Sequence, residues 1–222
     1  MSPANEMSLA MESLILDLDG TLLDSKPGIL ESFARAVATV LPDAPFDIAK
    51  VKVGPPIRQM CQASFPGASA AQLQSLARAY RTHYDREGCL QTRLFDGAIH
   101  ILTHCLQRKI PVDVATNKPG AVTTSIFGRL KIGRFFREVV TVDSTDPPFS
   151  GKAAMIRHLL QLNRLDPRRT LFVGDTVEDA AAAAACGMPF VWAAYGYGSL
   201  AEEEKKSVFK TINRLAELRD IL

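Results

Sequence analysis

Short apolar runs and stretches with helical spacing of apolar residues alternate along most of the chain. Apolar runs that predict buried strands lie at 13–16, 110–115, 138–141, 170–173 and 189–193. Apolar residues three and four positions apart predict helices at 97–108, 120–130, 153–162, 177–186 and 212–222. Strands that alternate with helices are typical of parallel βαβ units, so the pattern predicts a doubly wound α/β fold.

The stretch 26–92 differs from the rest, since it has helical spacing and no convincing strand. It predicts helices at 29–41, from about 55 to 65, and at 69–87. We therefore expect an all-helical cap domain at 26–92, inserted into an α/β core that is formed by 13–25 and 93–222. Residues 1–12 are predicted to be a frayed tail.

Polar residues stand where the predicted strands end or where the following helices begin. They are Asp17, Asp19, Thr116, Asn117, Lys152, Asp175 and Asp179. In an open α/β sheet the carboxyl ends of the strands form the ligand-binding edge. We therefore expect these side chains to meet at one site.

Each of these residues also has an ordinary structural explanation. A solvated turn would explain Asp17 and Asp19, a helix cap would explain Thr116, and a favourable place at a helix N-terminus would explain Asp175. An isolated Lys152 would be a surface lysine. These explanations do not account for the coincidence of all the positions at one edge of the sheet, which favours a functional site.

Two aspartates follow the first strand with one residue between them. Carboxylates about 4 Å apart repel by roughly 4 kcal/mol at an effective dielectric constant near 20. If Asp17 and Asp19 converge, they need a cation, a shared proton or solvent. A divalent metal is the simplest counter-charge.

The order and spacing of the motifs resemble those of the haloacid dehalogenase-like hydrolase superfamily, above all its phosphoglycolate phosphatase-like members. The segments that carry the resemblance are 17–21 (DLDGT), 116–119 (TNKP), Lys152 and 174–179 (GDTVED), with weaker likeness at 54–57 and 195–198. The resemblance covers residues 14–192 and implies a Rossmann-like core with an inserted cap.

The resemblance implies hydrolysis of a phosphate ester through an aspartyl phosphate. Asp17 would be the nucleophile, and Asp19 would protonate the leaving alkoxide and then accept a proton from water. Thr116 would donate a hydrogen bond to a phosphoryl oxygen, while Lys152 would balance the charge of nucleophile and phosphate.

The same resemblance implies a Mg²⁺ cofactor. The carboxylates of Asp17 and Asp175 and the backbone carbonyl of Asp19 would hold the ion. Asp179 would orient Lys152 or a metal-bound water rather than bind the metal directly.

Contacts with substrate are predicted from the loops and from the cap. Backbone N–H groups after Asp19 and Thr116 assign Gly20 and Asn117 to the phosphate site. Arg58 and Lys52 in the cap are candidates for an anionic part of the substrate, with surface charge as the alternative.

The motif around Lys152 departs from the family pattern at one position. Ala153 follows Lys152 where the family often has proline. Lys118 is the only nearby lysine that could take the role instead.

The presence of Asp19 favours phosphate ester chemistry, because a leaving oxygen needs a proton. The expected reaction is therefore Mg²⁺-dependent hydrolysis of a small phosphate monoester, with phosphoglycolate as the first candidate. A sugar-phosphate mutase uses the same aspartate pair and is the main alternative. A receiver-like signalling module and an inactive binding protein of the same fold are weaker ones.

The composition gives no sign of a macromolecular partner. The formal net charge is +2, which provides no electrostatic basis for binding nucleic acid or a membrane surface. The four cysteines show no metal-binding spacing, so we expect reduced thiols and a cytoplasmic protein. The predicted partner is a small-molecule phosphate ester, and the sequence does not indicate an oligomeric state.

Overall fold

The computed structural model describes residues 11–222. Its strands are β1 (Ser13–Leu16), β2 (Leu23–Asp24), β3 (Arg93–Leu94), β4 (Val112–Thr116), β5 (Val139–Thr141), β6 (Thr170–Gly174), β7 (Phe190–Ala193) and β8 (Lys210–Ile212). Its helices are α1 (Lys26–Val40), α2 (Ile57–Ser64), α3 (Ala70–Tyr84), α4 (Ala98–Arg108), α5 (Gly120–Leu130), α6 (Lys152–Leu162), α7 (Val177–Ala185) and α8 (Glu202–Lys205).

Six strands form one parallel sheet in the order β5-β4-β1-β6-β7-β8. Successive residues of a strand point to opposite faces, and in β1 Leu14 and Leu16 join one apolar cluster while Ile15 joins the other. Helices α4 and α5 contribute to the first cluster, and α6 and α7 to the second. Both faces are thus covered by helices, which confirms the predicted doubly wound α/β fold.

The central position of β1 brings three strand ends together. The chain runs outward from β1 to β4 and β5 on one side, and then crosses to β6, β7 and β8 on the other. Leu16 of β1 is in register with Val114 of β4 and with Val173 of β6. The residues that follow these three strands therefore lie beside one another at the same edge.

A helical segment, residues 26–92, lies between β2 and β3. These two short strands pair antiparallel, with Asp24 opposite Arg93. The segment contains α1, α2 and α3. At its base α1 approaches the following chain closely, since a Cβ on Gly28 would lie 2.0 Å from the carbonyl oxygen of Gly88. The helical content is as predicted, and a role as a separate cap domain stays a prediction.

The predicted helix at 212–222 is only partly confirmed. Ile212 is the last residue of β8, and the helix that follows is a 3-10 helix at Leu215–Asp220. Leu215 and Leu218 are both buried. Apolar residues three apart suit a 3-10 helix as well as an α-helix, because the 3-10 form has three residues per turn.

The predicted tail at 1–12 lies mostly outside the described residues. Of its last two residues, Met11 packs against the core, and the Glu12 N–H donates to the carbonyl of Arg169 at 2.8 Å. Among residues 11–222, the helices are all too short or too polar to cross a membrane.

Candidate active site

Asp17 and Lys152 form a buried ion pair at the carboxyl edge of the sheet. The Asp17 N–H donates to the carbonyl of Val173 at 2.9 Å, which continues the pairing of β1 with β6. The carboxylate of Asp17 accepts a hydrogen bond from Nζ of Lys152, which also donates to the carbonyl of Ala115 at 3.3 Å. Lys152 is only 4% exposed, so it is not a surface lysine.

Asp179 is held beside Lys152 by the start of helix α7. Its Oδ2 accepts hydrogen bonds from the N–H (3.1 Å) and the hydroxyl (2.6 Å) of Thr176, which caps the helix. Its Oδ1 lies 3.1 Å from Nζ of Lys152. Both oxygens of Asp179 therefore have neighbours within the protein, and Lys152 is fixed between two carboxylates.

Asp175 follows β6 and is enclosed by the loop at 195–198. Its Oδ2 accepts the N–H groups of Tyr197 at 2.7 Å and Gly198 at 3.1 Å. A Cβ on Gly20 or on Gly196 would come within 2.3 Å of the Asp175 side chain, so glycine is required at both positions. The weak resemblance at 195–198 was the sequence signal for this loop.

The acidic groups outnumber their cation. Oxygens of Asp17, Asp175 and Asp179 lie within 4.8 Å of one another. Burial raises the pKa of Asp17 well above its usual value; Lys152 opposes this, while Asp179 and Asp175 add to it. Burial, with a further contribution from Asp179, raises the pKa of Asp175 to about 6.

Lys152 stays protonated in this environment. Burial alone would lower its pKa, but the carboxylates of Asp17 and Asp179 outweigh burial and raise it above the usual value. One ammonium thus faces three carboxylates. A second cation would relieve the remaining repulsion, and a donor set of carboxylate oxygens fits a hard divalent ion such as Mg²⁺.

Asp19 lies at the turn that follows β1 and has partners of its own. Its Oδ1 accepts a hydrogen bond from the Ser25 hydroxyl at 2.6 Å. Its Oδ2 lies 2.9 Å from Nζ of Lys118, which is buried. From the sequence alone Lys118 is only a possible substitute for Lys152, although its position in the segment at 116–119 is a usable signal.

The remaining predicted contacts have mixed outcomes. The buried Thr116 hydroxyl accepts the N–H of Lys118 at 3.2 Å, which leaves its own hydrogen for another acceptor. Asn117 donates to Glu178 at 3.1 Å. The Gly20 N–H donates to the carbonyl of Leu23 at 2.9 Å, so its predicted use as a phosphate donor is not supported. Its contribution is the space that it leaves for Asp175.

A cavity of about 240 Å³ lies between the sheet edge and the helical segment. Asp17, Asp19, Thr116 and Lys152 line it from the core. Arg58, Arg81 and Tyr84 line it from the helical segment, and both arginines also border an adjoining cavity at the surface. Arg58 therefore lines the same cavity as Asp17 and Lys152, and its contact with substrate stays a prediction.

A family model matches most of this chain. The model describes a haloacid dehalogenase-like hydrolase and matches residues 14–193. The match includes every residue that forms the acidic cluster.

Curated relatives align with nearly the full chain. A protein of Pseudomonas aeruginosa named 5'-nucleotidase is 30% identical, with 98% of each chain covered. Tyrosine-protein kinase PtkA of Mycobacterium tuberculosis is 33% identical, with 94% of this chain and 72% of PtkA covered. Phosphoglycolate phosphatase 1 of Pseudomonas aeruginosa is 24% identical, with 93% of this chain and 79% of the relative covered.

The fold matches solved structures closely. A haloacid dehalogenase-like family hydrolase of Streptococcus pneumoniae superimposes with a TM-score of 0.85 at 24% identity. The alignment covers 96% of this chain and 99% of the other.

Proposed function

Because this chain belongs to the haloacid dehalogenase-like hydrolase family, in its phosphoglycolate phosphatase-like branch, and is a phosphatase, we propose that it hydrolyses a small phosphate monoester through an aspartyl phosphate with Mg²⁺ as cofactor. The observation that carries this proposal is the buried cluster of Asp17, Lys152, Asp179 and Asp175 at the carboxyl edge of the sheet.

Asp17 is the proposed nucleophile. One of its carboxylate oxygens forms a bond to phosphorus, and the bond from phosphorus to the leaving oxygen breaks. Asp19 gives its proton to that oxygen. In the second half of the reaction Asp19 takes a proton from water, the water oxygen bonds to phosphorus, and the Asp17 carboxylate is released together with phosphate.

The groups around Asp17 are proposed to neutralise the negative charge of the nucleophile and of the phosphoryl group. Bound Mg²⁺, held by the carboxylates of Asp17 and Asp175 and the backbone carbonyl of Asp19, would neutralise negative charge on the phosphoryl oxygens. The Lys152 ammonium, fixed by Asp17 and Asp179, balances the charge of the nucleophile and the phosphate. The Thr116 hydroxyl donates to a phosphoryl oxygen.

The helical segment at 26–92 is the proposed cap. It forms one wall of the cavity, so its closure over the sheet edge would exclude water from the reaction. Arg58 is the proposed contact for an anionic or polar part of the leaving group, with Lys52 as a further candidate. The names of the relatives favour a nucleoside monophosphate or phosphoglycolate as the substrate class.

We also propose a reducing, cytoplasmic environment. All four cysteines are free thiols, and Cys61, Cys89 and Cys105 are buried.

The test is a screen of phosphate esters with the purified protein. We expect p-nitrophenyl phosphate and at least one natural monoester to be hydrolysed with Mg²⁺, and EDTA to stop the release of phosphate. Nucleoside monophosphates, phosphoglycolate and sugar phosphates should be compared by kcat/KM. Absence of metal-dependent hydrolysis on the whole panel would contradict the proposal, while isomerisation of a sugar phosphate without phosphate release would establish the mutase alternative.

A further inference from the structure

Asp19 is anchored differently at its two carboxylate oxygens. Oδ2 faces the Lys118 ammonium at 2.9 Å, while Oδ1 accepts a hydrogen bond from the Ser25 hydroxyl at 2.6 Å. A charge-assisted contact is stronger than a bond from a neutral hydroxyl. Lys118 therefore holds Asp19 by the stronger of its two side-chain contacts.

Lys118 is itself held from the helical segment. Its Nζ donates to the Tyr84 hydroxyl at 2.7 Å and lies 4.6 Å from the centre of the Tyr84 ring. Tyr84 belongs to α3 and is stacked on Tyr80, with ring centres 5.3 Å apart and an interplanar angle of 8°. A continuous set of contacts thus runs from the helical segment through Lys118 to Asp19.

The two buried lysines of the site serve different aspartates. Lys152 contacts Asp17 and Asp179, whereas Lys118 contacts Asp19 and Tyr84. Lys118 is therefore not a substitute for Lys152.

We propose that Lys118 is a positioning residue for Asp19, and that Tyr84 keeps Lys118 in place from the helical segment. This inference rests on the proposed function, in which Asp19 protonates the leaving oxygen. With Oδ2 held by Lys118, the Asp19 carboxyl group keeps the orientation from which it transfers its proton to the leaving oxygen. Without Lys118 the carboxyl group can rotate, and the productive arrangement is formed less often.

The test compares two leaving groups. An alkyl phosphate needs its leaving oxygen protonated, whereas p-nitrophenyl phosphate has a leaving group that departs with little protonation. The value of kcat/KM reports the steps up to formation of the aspartyl phosphate. A residue that positions the proton donor should therefore matter for the alkyl ester and much less for the aryl ester.

For Lys118→Met we expect kcat/KM to fall by about 100-fold or more on the alkyl ester and by less than about 10-fold on the aryl ester. Lys118→Arg, which keeps the charge, should recover part of the loss on the alkyl ester. Tyr84→Phe, which removes only the hydroxyl, should give a smaller loss in the same direction. Lys206→Met, at an exposed lysine that pairs with Glu203, should leave both values unchanged.

Losses of equal size on the two esters, or no loss on either, would overturn the inference while leaving the proposed function intact. A wild-type protein that hydrolyses neither ester with Mg²⁺ would overturn the proposed function and the inference with it. If Lys118→Met does not fold, the same comparison is made with Lys118→Gln and Tyr84→Phe. A larger loss of kcat/KM on the alkyl ester than on the aryl ester supports the inference, and equal losses contradict it.

Discussion

Asp17 is buried and forms an ion pair with Lys152, which a neutral asparagine at this position could not form. Asp17→Asn has nearly the same shape, but its neutral amide oxygen is a much weaker nucleophile than a carboxylate oxygen. We expect kcat on p-nitrophenyl phosphate to fall by at least about 10³-fold, as for loss of other nucleophiles. No phosphoenzyme should be detected by mass spectrometry after acid quenching.

Asp43→Asn is a matched control, because Asp43 is exposed on the protein surface. It should retain wild-type kcat. Retained activity in Asp17→Asn would identify another residue as the nucleophile.

Gly20 has a backbone and a neighbour that both exclude a side chain. Its φ is +87°, and an added Cβ would meet Oδ2 of Asp175 at 2.3 Å. We expect Gly20→Ala to displace Asp175 and to weaken Mg²⁺ binding by about 10-fold or more, in the range seen when the supports of metal ligands are lost. Mg²⁺ titration followed by thermal unfolding measures this effect.

Gly128→Ala is the control for Gly20→Ala. Gly128 lies in α5, and an added Cβ would meet nothing within 4 Å. Since alanine is the better helix former, this variant should be slightly more stable and should bind Mg²⁺ as the wild type does. Equal Mg²⁺ affinity in both variants would contradict the close approach at Gly20.

Spacing along the sequence located the residues at strand ends, but it could not pair their side chains. Asp17 and Asp175 were placed together by the rule that parallel strands end at one edge. The contact between Asp19 and Lys118 depends on two loops whose course follows no periodicity, so the sequence left Lys118 without a clear role. The hydrogen bond of the Gly20 N–H likewise depends on a local turn.

At the scale of elements, β4 carries a charge inside the sheet. Asp113 is fully buried and accepts hydrogen bonds from Arg137 Nε at 2.9 Å and from the N–H of Glu138 at 3.2 Å. Arg137→Ala would leave a buried carboxylate without its cation. We expect the free energy of unfolding to fall by about 3–5 kcal/mol, measured by urea denaturation.

Arg168→Ala removes an exposed arginine that lies 3.7 Å from Asp166. This control should change stability by less than about 1 kcal/mol, since exposed ion pairs contribute little. If both variants lose the same free energy of unfolding, the ion pair of Arg137 with the buried Asp113 does not stabilise the fold.

Elements with a recognisable apolar run were predictable, including the three-residue strand β5, whereas the two-residue strands were not. Strands β1, β4 and β6 consist of buried residues and lie side by side in the centre of the sheet. Strands β2 and β3 have two residues each, too few for a period to be recognised. Near the C-terminus, the spacing of the buried Leu215 and Leu218 is compatible with both an α-helix and a 3-10 helix, so the sequence alone does not distinguish the two.

At the scale of the whole molecule, the acidic cluster links metal binding to stability. The pKa of Asp175 is about 6, above the usual 3.8 of an aspartate. In the metal-free protein, the stability that comes from the neutral carboxyl is present below pH 4 and is lost as the pH rises through about 6. Above this pH the ionised carboxylate is available to a cation, because metal ligands must be deprotonated.

We therefore expect Mg²⁺ at about 100 times its Kd to raise Tm by about 5–10 °C at pH 8. At pH 5, one unit below the pKa of Asp175, the apparent affinity falls by about tenfold, so the same concentration should raise Tm by only about half as much. Thermal scans at both values, with EDTA as the reference, measure the difference. A gain in Tm that does not depend on pH would contradict protonation of the cluster.

The short ribbon of β2 and β3 is where the chain enters and leaves the helical segment at 26–92. The chain leaves the core at Asp24 and returns at Arg93, and these residues are direct partners across an antiparallel pair. Such partners have Cα atoms only about 4.5–5.5 Å apart, a gap that a hairpin turn can close. If residues 26–92 form the proposed cap, we expect that a different cap could be joined to the core through this one ribbon.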